Sequence, residues 1–303
     1  MPLPDSYLTY SERKRGMDNP FYGWDPTAHR SPVALPGGVK AMATIVVPVE
    51  FFPLDPPSIP FTHPGAMKTQ YPDLRHYTVR DYGNRVGIFR LLRLFERHQI
   101  RATFAVNAAI ADRYPPLVEA ISSGGHEVAA HGVSTAHIHH GGLPEADEQA
   151  LIATCRDTFP TARTWMSPAR NESTRTLGLL AAAEFNVCLD WEPDMRPVTM
   201  HTDSGNIEAI AHYNELSDVK LMSDRGQSEE TWGKQIIDAA DDHLLRHPDE
   251  GAGAFAFTLT PYVAGQPFRI AAVDNVLAAL SAMDGLKIAP ACDVADAFAR
   301  ART

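Results

Sequence analysis

A histidine at the end of a short apolar run is the first feature of this chain that could do chemistry. In GGHEVAAHG (124–132), Val128, Ala129 and Ala130 lead to His131, and the run breaks at Gly132. Short apolar runs bounded by glycine fit buried parallel strands. The C-terminal ends of such strands are where barrel enzymes carry their reacting groups. An imidazole there can take or give a proton near neutral pH. A lone histidine can equally do no more than satisfy a loop, so the other strand ends must be weighed with it. ATIVVPVEF (43–51) releases Glu50 at its end, FNVCLD (185–190) ends on Asp190 followed by Trp191, and EAIAH (208–212) ends on His212. Carboxylates and imidazoles gathered at strand ends suit general acid–base work. His63 lies in a proline-rich loop over 52–80, while His137, His139 and His140 form a tract that either binds metal or is solvated.

These groups need a scaffold, and the pattern supplies one. RVGIFRLLRLFERH (85–98) reads as an amphipathic helix with Val86, Phe89, Leu92 and Phe95 on one stripe. Strand 102–106, a helical run over 115–122, helix 144–158, a strand near 164–166 and a helix capped by Asn171 or Ser173 follow. After strands 185–190 and 208–212 come helix 228–245, strand 254–260, helix 271–283, strand 286–289 and helix 292–301. Strands alternating with helices imply parallel βαβ units, and about seven of them point to a barrel. Pro48 is awkward in this reading, because proline cannot donate to a central ladder.

Composition narrows the class. The 303 residues, 44% hydrophobic, can bury a sizeable core. No linker interrupts them, which divides the chain into an extended arm (1–40) and one domain (41–303). The arm either lies over its own domain or joins a subunit contact. A net charge of −10 argues against nucleic acid and anionic membrane surfaces as partners. Cys155, Cys188 and Cys292 show no CxxC spacing and read as buried thiols in a reducing compartment. Asp5, Glu12 and several prolines precede any apolar run, so no signal peptide is read, and no stretch reaches membrane-spanning length. The expectation is a soluble cytoplasmic protein acting on a small molecule.

Four segments carry a resemblance: DYGNRVGIFRLLRLFERHQIRATF (81–104), GGHEVAAHG (124–132), WMSPARNESTRTLGLLAAAEFNVCLDWEPD (165–194) and TPYVAGQPFRI (260–270). In order and content they resemble the polysaccharide deacetylase superfamily, and within it the branch of metal-independent allantoinases and cyclic imide hydrolases. The resemblance implies a distorted (β/α)7 barrel of α/β class. In the deacetylases an aspartate and two histidines four apart hold a metal. Here Glu50 stands at the acid position, His131 at the first histidine and Thr135 at the second, which is no useful zinc ligand. The allantoinase-like branch shares both departures, so no cofactor is expected. The rival is zinc or manganese on Glu50, His131 and a replacement ligand, His137 or His139.

A second departure is Thr260, which stands where the family places a catalytic histidine just before the Pro-Tyr segment. Threonine cannot shuttle a proton near neutral pH, whereas histidine's pKa is suited to it. Glu50, His131, His63 or His212 would then have to do that work. By resemblance, Asp190 orients the base or binds substrate, with a loop cap as the plain alternative. Arg170 pairs with a carboxylate at the site, and Arg269 anchors the last loop. Tyr82, Arg85, Trp191, Thr260 and Tyr262 are implied to bind substrate, and Asn84 either shares that loop or caps the next helix. The expected activity is hydrolysis of amide, cyclic amide or imide C–N bonds in a small polar molecule. Its alternatives are a metal-dependent N-deacetylase of amino sugars, or a non-hydrolytic lyase, isomerase or binding protein. The related enzymes are homo-oligomers, which implies a dimer or tetramer.

Overall fold

The computed structural model describes residues 19–55, 72 and 74–302. Nine strands form one sheet: β1 (Ala41–Val49), β2 (Thr103–Val106), β3 (Glu127–Ala130), β4 (Thr164–Trp165), β5 (Val187–Cys188), β6 (Val198–Thr202), β7 (Gly205–Ala209), β8 (Gly253–Thr258) and β9 (Leu286–Ile288). Parallel pairing runs β7-β5-β4-β3-β2-β1-β8. The sheet then closes on itself, since the chain just past β7 bridges β8 at His212–Ala256, with the Tyr213 N–H donating to the Ala256 carbonyl at 3.0 Å. This is the expected deacetylase-type barrel of α/β class. β9 adds only to the first residues of β1. The antiparallel hairpin β6–β7 escapes a reading based on apolar runs, because His201, Thr202 and Asn206 give it a polar face.

Pro48 finds its place by edge parity. Even-numbered residues of β1 turn their main chain to β8, as the Leu259 N–H donation to the Val46 carbonyl at 3.0 Å shows. The β1–β8 ladder stops at Val46–Thr258, so the missing proline N–H faces a point where the two strands have already parted.

Side chains divide by the two-residue period of the strands. Val46, Ala105, Met166, Leu189, Ile210, Ala254 and Ala256 form the barrel interior, closed below by Val294 and Phe298 of the C-terminal helix Ala291–Arg302. Alternate residues such as Ile45, Val47, Phe104 and Phe257 pack outward against the helices.

The first helix pair departs from expectation. Part of the 52–80 loop is helix Leu74–Tyr82, which runs through a π turn at Gly83–Gly87 into helix Ile88–His98. A π turn adds one residue to the repeat and rotates the face beyond it. The buried stripe is therefore Ile88, Leu91 and Phe95, whereas Val86 and Phe89 are exposed. At the turn, a Cβ on Gly87 would run into the Pro261 carbonyl. That close approach locks the helix to the loop after β8.

Behind β3, the 133–143 loop is tied down by a buried carboxylate. Glu148 of helix Glu145–Thr158 accepts from Ser173 Oγ at 2.8 Å and Thr176 Oγ1 at 2.5 Å, and meets His139 Nδ1 at 3.3 Å. Arg175 completes an ion pair at 3.1 Å. Residues 19–40 of the arm lie on their own barrel: Val33 bridges Gly251, the Ala252 N–H donates to the Val33 carbonyl at 2.7 Å, and Arg30 bonds Asp194 at 2.7 Å. No helix among the described residues is long and apolar enough to cross a membrane.

Two outcomes follow. Gly87→Ala should lower stability by about 1–3 kcal/mol, read as a shifted urea midpoint, because the added methyl has only main chain to displace. Burial pushes the Glu148 carboxyl up, but His139, Thr176 and Ser173 more than offset this and hold it at about 2, below its ordinary 4.5. A depressed folded value stabilises above pH 4.5 and is lost as pH falls towards 2. Glu148→Gln should therefore flatten the acid limb of a stability–pH curve across that window.

Candidate active site

Inward parity, continued past the strand ends, gathers the chemistry. Glu50 follows Val46 and Pro48, Asn107 follows Ala105, His131 follows Ala129, His212 follows Ile210, and Thr258 and Thr260 follow Ala256. Glu50, His131, His212, Thr258 and Thr260 line one cavity of about 450 Å3 at the C-terminal mouth of the barrel, with Asp190, Arg170, Glu192, Lys220 and Tyr262. That size suits a small-molecule site.

The centre is a contact between the ends of β1 and β3. His131 Nε2 lies 3.2 Å from Glu50 Oε1, and both groups are buried. His131 Nδ1 lies 2.8 Å from the Met166 carbonyl, which can only accept, so Nδ1 carries a proton. The ring is thereby fixed in orientation, with Nε2 turned to the carboxylate. Asn107, fully buried at the end of β2, binds both partners' main chains. Its Oδ1 accepts the Phe51 N–H at 2.8 Å and its Nδ2 donates to the His131 carbonyl. Asn84 of the π turn donates to the Glu50 carbonyl at 2.8 Å.

The opposite wall is built around β5, β7 and β8. Both Asp190 carboxylate oxygens accept the Ser167 N–H, at 3.0 and 2.9 Å. Beside it Glu172 accepts from Trp191 Nε1 at 2.9 Å, and Cys188 Sγ lies 3.6 Å from each carboxylate. Burial and the neighbouring Asp190 charge push the Glu172 carboxyl well above its ordinary range, so the two acids share a proton. Arg170 sits in the left-handed region with Ala169, at φ of 53° and 59°. Neither residue is glycine, so the turn stores strain of about 1–3 kcal/mol per residue. It aims the guanidinium at Glu192, 2.9 Å away, and at the Asp190 carbonyl at 3.2 Å. His212 Nε2 meets Thr258 Oγ1 at 2.6 Å. Burial and then the Arg170 charge hold its ring well below the ordinary histidine value, hence neutral.

Thr260 is bound to an acid that sequence reading overlooked. Asp218, wholly buried, accepts both the Thr260 N–H and the Thr260 hydroxyl at 2.7 Å, as well as the Val219 N–H at 2.8 Å. Burial pushes its carboxyl up to about 7 despite these donors. Tyr262 is raised by burial and by the charge of Glu50, and its ring meets Phe52 edge-on and lies 5.5 Å from the Arg80 guanidinium.

Three expected substrate contacts lie elsewhere. Tyr82 is turned to Arg90, whose guanidinium bonds its hydroxyl and lies 5.8 Å over its ring. Arg85 is 74% exposed and reaches only Asp81. Trp191 is held outside the cavity by Glu172 and by Phe21 of the arm. Arg269 pairs with Glu229 at 3.0 Å, as an anchor should.

Among the described residues, no third side chain joins Glu50 and His131 to hold the family's metal. Thr135 Oγ1 donates to the Phe51 carbonyl at 2.9 Å, His137 Nδ1 meets Ser134 Oγ at 2.8 Å, and His139 Nδ1 meets Glu148, while its buried Nε2 has no hydrogen-bond partner among the described residues. Zinc needs three protein ligands at a catalytic site. Among the described residues, the group of three side chains spaced for an ion is Glu172, Cys188 and Asp190, without Glu50 or His131. His63 lies outside the described residues.

Comparison with known proteins agrees with this architecture. Residues 77–185 match the family model for polysaccharide deacetylase. A search of curated proteins gives no match. A probable polysaccharide deacetylase from Pseudomonas aeruginosa PAO1 superposes with a TM-score of 0.77 at 21% identity, over 88% of this chain and 93% of its own. Puue allantoinase superposes with the same TM-score of 0.77 at 18% identity, over 89% of this chain and 94% of its own. The likeness read from the sequence is thus met by a family model over part of the chain and by structure over most of it: this protein has the polysaccharide deacetylase fold.

Proposed function

We propose that the chain is a hydrolase of C–N bonds in small polar amides, cyclic amides or imides, working without a resident metal. The observation that carries the reading is the Glu50–His131 contact at the cavity wall, with the ring fixed through Nδ1 by the Met166 carbonyl. Glu50, oriented at Oε1 by His131, takes a proton from water. Deprotonated in this way, the water attacks the carbonyl carbon. The resulting oxyanion needs donors in a site of low dielectric. Arg170, poised by its strained turn, and main-chain N–H groups at the strand ends are the groups to supply them. The structural likeness to an allantoinase supports a cyclic or ureide substrate, and so do Glu50 and Thr135 standing where metal-dependent deacetylases carry ligands.

The reading is tested on a panel of hydantoins, ureides such as allantoin, cyclic imides and N-acyl amines. Glu50→Gln and His131→Asn should each lower kcat at least about 100-fold on whichever member turns over. Absence of turnover across the panel would sink the hydrolase reading. Untagged protein should show no stoichiometric zinc or manganese by elemental analysis and keep its activity after chelation. Metal lost together with activity would overturn the metal-independent part alone.

A further inference from the structure

A hydrolase of amides needs an acid as well as a base, because an amine leaves only with a proton. Resting on the hydrolase reading, we propose that Asp218, acting through the hydroxyl of Thr260, supplies that proton. The pair would stand in for the imidazole that β8 lacks.

Placement makes the case. Thr260 lines the cavity, and Asp218 lies directly behind it, bonded to its hydroxyl at 2.7 Å. Strands β1 and β8 run side by side with Val46 opposite Thr258. Just past that last pair, Pro48, Glu50 and Thr260 all line the same cavity. Base and relay therefore approach a bound substrate from neighbouring strand ends. A threonine hydroxyl alone is no acid at neutral pH, but a hydroxyl in contact with a neutral carboxyl can pass a proton on. Burial raises the Asp218 carboxyl to about 7, so it carries a proton in a large share of molecules at neutral pH. The charged and titratable groups around it are few. Arg269, on the loop after β8, favours the anion and is itself paired with Glu229, and Tyr262 of the same loop feels the Asp218 charge. On its own segment stand Lys220 and Asp224, which pair with each other at 3.9 Å.

The step balances. Asp218 gives its proton to Thr260 Oγ1 as the Thr260 hydroxyl proton passes to the leaving nitrogen. The C–N bond breaks with its electron pair going to that nitrogen. Asp218 is left as a carboxylate accepting the Thr260 hydroxyl, which is the donor direction seen in the structure. Water's proton, taken by Glu50, returns to Asp218 through solvent after the products leave.

The experiment uses the full chain and two probes, an amide that turns over on the panel and p-nitrophenyl acetate. The ester's leaving group departs without a proton, so it reports on the base and the fold alone. Thr260→Val should lower the amide-to-ester rate ratio by about 100-fold, and Thr260→Ser should restore it. In the wild type the amide rate should fall as pH rises through about 7. Asp218→Asn should abolish that descending limb, and should it fail to fold, the two Thr260 variants decide. Equal losses of amide and ester turnover in Thr260→Val would make the pair structural and overturn the proposal. So would an unchanged ratio. No turnover of either probe by the wild type would instead fell the hydrolase reading, and this proposal with it.

Discussion

Asn107 is the constraint on which the site depends. Its amide spans the gap between two strands that do not touch each other, binding Phe51 N–H on one side and the His131 carbonyl on the other. A side chain that is both donor and acceptor is required, and only an amide of this length offers both in one plane. With it in place, Glu50 and His131 are brought into contact by main chain rather than by chance encounter of their side chains. Pre-setting of this kind places the cost of orientation in folding rather than in each turnover. The Met166 carbonyl and Asn84 then refine what Asn107 establishes.

Most of the barrel was legible because parallel strands buried on both faces are short apolar runs, and every one ending on a polar residue drew attention. Glu50, His131 and Asp190 stood out in that way, and Arg170 and Thr260 through the resemblance. Asn107 carried the same signal, the residue just past an apolar strand, but asparagine before a helical run reads first as a cap. Asp218 had no such mark. It follows an irregular turn, and only folding brings it behind Thr260. Tyr82 and Arg85 belong to a helix and a π turn rather than to a loop, and with Trp191 they lie outside the cavity. Spacing alone does not say whether a loop residue faces the barrel mouth or the layer outside it, and the π turn shifted the phase of the first helix as well.

The electrostatics share one theme. Acids outnumber cations around the cavity, and the structure manages them by sharing protons and by neutral donors rather than by adding bases. Glu50 meets His131, Glu172 shares a proton with Asp190, and Asp218 is met by a hydroxyl and two main-chain N–H groups. Arg170 is the cation pressed closest, and it is committed to Glu192. Burial and crowding of this kind push the Glu172 and Asp218 carboxyls up.

Pro48 bears on how the barrel attains a single register. Strands β1 and β8 lie far apart in sequence, so their union is a long-range closure. A ladder zipping along that edge must halt where proline offers no donor. Were β8 to slide two residues towards the mouth, one of its carbonyls would be left facing a ring instead of an N–H, a loss with no water to make it good. The slipped barrel is thereby disfavoured, and the seam ends beyond Val46, where Pro48 lines the cavity.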